Sequence, residues 1–146
     1  VAAAAVQGGL NALATKILRP YPIELPVSGL DWWDLRRVFF DVGKLHADVT
    51  AKDLWPRAVR ISFGKVLSTR IVDEVCYSCW DGEHQVLNRP SCLYTIEGDE
   101  FCEQIAQGHW MQFDQPLAQY AILGLNDCLE VITTDKPVTS FIELEA

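Results

Sequence analysis

The chain has 146 residues, 49% of them hydrophobic and 22% charged, the composition of a single globular domain rather than of a disordered or fibrous chain. A chain of this length buries about 68–70% of its extended surface on folding, enough for one core without metal or disulfide staples. Twelve Lys/Arg against twenty Asp/Glu give a net charge of −8, and the longest apolar run, Val1 to Val6, is too short for a transmembrane helix. In chain order, Ala2 to Leu18 reads as a helix, weakened at Gly8-Gly9 and ended by Pro20. Pro20, Pro22 and Pro26 then extend the backbone toward Trp32-Trp33. From residue 33 the hydrophobic period becomes two. Strands are predicted over residues 33–41 and 44–49, paired as a hairpin around Val42-Gly43, and over 59–63, stopped by Gly64. Val66 to Cys79 reads as one bent strand or two, interrupted at Asp73-Glu74; 81–90 reads as a loop and Cys92 to Ile96 as a short strand. A helix is predicted from Asp99 to Gln107, with Asp99 as N-cap, Glu100 at the positive end of the dipole, Gly108 as terminator and an apolar face of Phe101, Cys102, Ile105 and Ala106. Leu117–Leu125 and Cys128–Thr133 form a hairpin turning at Asn126-Asp127, and a last strand, Val138 to Leu144, follows Pro137.

Short connections favour antiparallel pairing, because parallel strands need long crossovers. The expected fold is therefore α+β: a predominantly antiparallel sheet with one or two helices packed on a face, in one domain spanning residues 1–146.

The charge is unevenly distributed. Residues 1–73 carry ten Lys/Arg and seven Asp/Glu, whereas residues 74–146 carry two and thirteen. Between Arg89 and Lys136 stand eight carboxylates and no Lys or Arg. Nucleic acid is excluded as an expected partner, since phosphate neutralisation needs clustered cations and Arg36-Arg37 is the only adjacent basic pair. A one-signed field of this kind either solubilises the chain or steers a basic partner onto it.

The sequence holds no phosphate loop, no G-x-S-x-G elbow and no H-E-x-x-H pair, so no catalytic residue is assigned. Cys76-x-x-Cys79, His84, Cys92 and Cys102 supply zinc-type donors within 27 residues. A regular strand over 75–80 would point Cys76 and Cys79 to opposite faces, and the expectation is ordinary thiols with no metal and no cofactor. His46 falls on the polar face of a strand, His84 in a loop and His109 beyond a helix end; none has a partner fixed by spacing. Glu97, Asp99, Glu100 and Glu103 lack the alternating oxygens and central Gly of a calcium loop. Trp32 and Trp33 cannot both face inward on an extended segment, and Trp110 sits among polar residues in the acidic half.

The segments Val59–Phe63, Arg70–Glu74, Tyr120–Ile122 and Asp127–Ile132 resemble small bacterial proteins, some of them similar to immunity proteins of polymorphic toxin systems. That resemblance implies a bacterial cytoplasmic inhibitor without catalytic residues, bound to a basic toxin domain. The expectation is thus a non-enzymatic acidic protein that docks a basic protein through Glu97, Asp99, Glu100, Glu103, Trp110 and Asp114, with no nucleic-acid or membrane partner. The alternatives are a small-ligand or zinc-binding domain using the cysteine–histidine set, and a structural or assembly subunit. The short Ala-rich start, with no preceding Lys or Arg, does not read as a secretory signal.

Overall fold

The computed structural model describes residues 17–24, 33–73, 91–108, 116–125 and 127–145. They form strands β1 (Ile17–Pro20), β2 (Asp34–Asp41), β3 (Lys44–Thr50), β4 (Arg57–Phe63), β5 (Val66–Asp73), β6 (Leu93–Glu97), β7 (Ala118–Leu123), β8 (Asp127–Thr133) and β9 (Val138–Glu143), with helix α1 (Glu100–Gly108) between β6 and β7. Sheet A runs β1-β6-β7-β8-β5 and sheet B runs β2-β3-β4-β9, with every neighbouring pair antiparallel.

The expected α+β class is corrected: of the described residues 61% are in strands and 8% in one short helix, so the fold is mainly β. The physical reason lies in what covers the apolar faces. Leu45, Ala47 and Val49 of β3 and Val59, Ile61 and Phe63 of β4 form one buried cluster with Leu93, Tyr120, Ile122, Leu129 and Val131 of sheet A. A second sheet thus buries the face for which sequence periodicity leaves a helix equally possible. Each such aliphatic side chain contributes about 1.5–3 kcal/mol of transfer free energy. The rings of Phe63 and Tyr120 meet across the two sheets at 5.6 Å.

The N-terminal helix expected over Ala2–Leu18 is contradicted at its end, where Ile17 and Leu18 pair with Glu97 and Ile96 in β1. The rest of that span, the Cys76–Cys79 strand and the 81–90 loop lie outside the described residues. The β2–β3 hairpin turns at Val42 (φ 48) and Gly43 (φ 74), two positive φ values as the tightest hairpin turns require. The β7–β8 hairpin forms, but the expected two-residue turn at Asn126-Asp127, with Leu125 opposite Cys128, is corrected: β7 ends at Leu123, which pairs with Cys128, and Asp127 already belongs to β8 and pairs with Asp73. Gly124 has little freedom to change there, since a Cβ would lie 2.7 Å from the Asp127 carbonyl and 3.1 Å from the Leu35 nitrogen.

The chain passes from sheet B to sheet A between β4 and β5, and back between β8 and β9. Thr133 ties these two crossings together: its Oγ1 donates to the Gly64 carbonyl at 2.5 Å and accepts from the Asp135 nitrogen at 3.1 Å. Among the described residues, no helix is long and apolar enough to cross a membrane.

Candidate functional site

The outer face of sheet A, turned away from sheet B, carries a second apolar cluster: Tyr94, Ile96, Ala121, Leu123 and Cys128, with Leu18 and Val72 against it. Beside this cluster β6 ends, Gly98 turns the chain at φ 76, and Asp99 opens α1. Asp99 is the N-cap that its position predicts, its Oδ1 accepting the Phe101 nitrogen at 3.1 Å. Glu100 and Glu103 occupy the first turn, where the helix dipole favours carboxylates.

The other Asp99 oxygen organises the site. Oδ2 accepts Gln119 Nε2 at 2.8 Å and pairs with Arg70 Nη2 at 3.3 Å. Arg70 stacks its guanidinium 4.2 Å from the Phe101 ring centroid and donates through Nε to Glu130, a carboxylate 1% exposed in the middle of β8. One arginine therefore joins β5, β8 and α1. Burying Glu130 without a cation would cost several kcal/mol, so the pair locks the helix to the sheet.

Between the end of β6, the first turn of α1 and residues 117–119 opens a cleft of ≈ 430 Å³. Glu97, Asp99, Cys102, Glu103 and Gln119 all line it. Glu97 pairs with exposed Arg19 at 3.5 Å, while the Glu103 carboxylate has no ion-pair partner among the described residues. Burial pushes the Cys102 thiol up, and the charges of Asp99 and Glu103 push it in the same direction. The field that disfavours a thiolate here favours a cation.

Gln119 is only 3% exposed, and its Oε1 has no hydrogen-bond partner among the described residues. Because Nε2 is committed to Asp99, the amide cannot turn over to hide that oxygen. A buried acceptor without a donor costs about 1–3 kcal/mol.

The structure thus brings Glu97, Asp99 and Glu103 together at one cleft, with Glu100 beside them on the helix but outside its lining. Trp110 and Asp114 lie outside the described residues, as do Cys76, Cys79 and His84 of the candidate zinc set. The remaining members of that set do not meet. Cys92 is buried between the sheets, its thiol pushed up to about 12 by burial, whereas Cys102 faces the cleft on the other side of sheet A. Among the described residues no cluster of three His, Cys, Asp or Glu is spaced to hold a metal ion. Sequence reasoning missed Arg70, Gln119 and Glu130. Gln119 and Glu130 share their strand phase with Ala121, Leu123 and Cys128, so alternation gives no signal for them.

Sheet B also buries a carboxylate on its outer face. Asp48, 0% exposed, takes a two-bond fork from Arg60 (Nε to Oδ1 at 2.8 Å, Nη2 to Oδ2 at 3.0 Å) and a further bond from Arg37 Nε at 3.1 Å. Both guanidiniums lie over the Phe39 ring, at 4.7 and 5.0 Å. His46 completes the row, its Nδ1 2.7 Å from Ser62 Oγ and its ring 5.0 Å from that of Phe39. No protein-family model, no curated protein and no solved structure matches the chain.

Proposed function

We propose that the protein is a non-enzymatic binding module whose acidic cleft takes a lysine or arginine side chain of a basic protein partner, in the manner of the toxin-neutralising immunity proteins its sequence resembles. The observation that carries this reading is the convergence of Glu97, Asp99 and Glu103 on one cleft, where the Glu103 carboxylate has no ion-pair partner among the described residues. A guanidinium or ammonium brings several N–H donors and a positive charge to these carboxylates. Exposed Glu97, Glu100 and Glu103 steer the encounter, and the half-buried Cys102 and apolar Ile96 give the stem of the side chain a surface to lie on. Zinc binding by the cysteine–histidine set is less favoured, because Cys92 and Cys102 stand on opposite sides of sheet A. Cys92, Cys102 and Cys128 stand outside any disulfide, which accords with a reducing compartment such as the cytoplasm.

The test is a titration of isotope-labelled protein with the peptide Gly-Arg-Gly-Arg-Gly, followed through the Gln119 side-chain amide. Saturable shifts centred on Gln119 and Cys102, weakened about fivefold or more by Glu103→Gln and by added salt, are expected. Shifts spread evenly over all surface carboxylates, or indifferent to Glu103→Gln, would reduce the acidic face to a solubilising one.

A further inference from the structure

A second groove lies on the far side of the molecule, over sheet B, with a volume of ≈ 420 Å³. One wall is cationic. Arg37 and Arg60 are held in place by the buried Asp48 carboxylate, which engages Nε and Nη2 of each and leaves their Nη1 groups unused among the described residues. Arg36 is the extra residue of a β-bulge in β2, and its guanidinium lies 5.4 Å from the ring centroid of Trp55, a side chain 49% exposed. Bulges re-aim side chains in this way, at some loss of pairing.

The opposite wall is anionic and comes from the end of β9 and the residues after it, Glu143 and Glu145. Leu144 fixes this segment, donating its backbone nitrogen to the Pro56 carbonyl at 2.8 Å. Ile142 and Leu144 supply apolar surface between the charged walls, facing the same groove as Trp55. Three guanidiniums and two carboxylates thus line one groove, yet no ion pair of 4.0 Å or less joins the walls among the described residues. Opposite charges on flexible exposed side chains ordinarily close on each other. Here the arginines are held back by Asp48, Asp34 and the aromatic rings, so the separation is built in.

We propose that this groove binds a zwitterion with an apolar body, a free apolar or aromatic amino acid or a dipeptide, its carboxylate on the unused donors of Arg37 and Arg60, its ammonium toward Glu143 and Glu145, and its side chain against Trp55. Paired guanidiniums match the two oxygens of a carboxylate, and the volume fits a ligand of this size rather than a polymer. The acid wall rejects polyanions, which would otherwise be drawn to three arginines. The site is independent of the acidic cleft on sheet A.

The experiment is calorimetric titration of the intact protein with L-phenylalanine, Phe-Ala, N-acetyl-L-phenylalanine and L-phenylalaninamide. Phenylalanine or Phe-Ala binds with a Kd on the order of 1 mM or tighter, as expected for a small ligand in an open groove. Removing either charge, in the acetylated or the amidated probe, weakens binding by about tenfold or more, and Glu143→Gln weakens the ligands that keep an ammonium but not N-acetyl-L-phenylalanine. Glu143 is exposed, so that variant leaves the fold intact, and a thermal melt verifies it. Preference for Phe-Ala over phenylalanine assigns the longer zwitterion, and the reverse assigns the amino acid. Equal binding of blocked and unblocked probes, or no binding of either zwitterion at about 10 mM, overturns the proposal.

Discussion

Each sheet buries a carboxylate on the face it turns away from the other, by opposite means. On sheet A, Glu130 sits under one arginine among the described residues, and that Arg70 is itself covered by Phe101 of the helix and tied to Asp99. On sheet B, Asp48 has no helix above it among the described residues; two arginines flattened on Phe39 do the covering. A buried charge held by one cation depends on the element that positions it, and one shared between two cations tolerates the loss of either. Sheet A therefore links its electrostatics to its tertiary structure, while sheet B keeps its charge cluster within the strands and leaves a groove open beside it.

The largest expected effect follows from that contrast. Arg70→Met takes from Glu130 its arginine and should cost about 3 kcal/mol in urea denaturation, with most of the loss recovered when Glu130→Leu is added. A loss below about 1 kcal/mol would break the distinction between the faces. Asp99→Ala removes the helix cap along with its bonds to Gln119 and Arg70, and should cost about 1–2 kcal/mol together with helical circular-dichroism signal. Arg37→Met leaves the Arg60 fork on Asp48 and should cost no more than about 1 kcal/mol, since the Arg37 side chain is itself largely exposed.

The smallest effect sharpens the description of the acidic cleft. Cys102 is held protonated first by burial and then by Asp99 and Glu103, so its alkylation rate should rise with pH at a higher midpoint than that of an unstructured cysteine. Glu103→Gln should move the midpoint back only partway, because burial remains. A midpoint at or below that of the free thiol would contradict a negative field in the cleft.

Most strand positions along the chain were legible in the sequence, though not their order in two sheets, because alternation at Leu45-Ala47-Val49 and Val59-Ile61-Phe63 marks a buried face whatever covers it. Alternation does not say whether a helix or another sheet lies above, which is why a mainly-β sandwich reads as α+β. Cap chemistry and one turn carried through, Asp99 capping α1 and Val42-Gly43 turning β2 into β3, whereas the turn expected at Asn126-Asp127 did not, since Asp127 is already in β8. The site was half legible. Runs of carboxylate such as Glu97–Glu103 show in composition, but Asp48 and Glu130 occupy strand positions indistinguishable from solvated ones. What buries Glu130 is Arg70, sixty residues away in sequence. Long-range pairing of that kind leaves no trace in spacing.

The pairing of β9 has a consequence for how the chain reaches this structure. Sheet B is built from β2, β3 and β4, adjacent in sequence, yet its fourth strand is the last in the chain, with Arg57 beside Glu143. Sheet A likewise waits for distant partners, Ile17 finding Glu97 across the whole of sheet B's first three strands. Loops of this length must close before their contacts repay the entropy, so folding is expected on the millisecond-to-second scale of non-local β proteins, about 10³ times slower than for small helical bundles. Until β9 arrives, β4 presents a bare edge of alternating apolar residues, the kind of template that neighbouring chains can extend. During synthesis that edge is exposed for as long as residues 64–137 take to emerge, and the concentration at which the protein can be made without aggregation is set by this interval rather than by the stability of the finished sandwich.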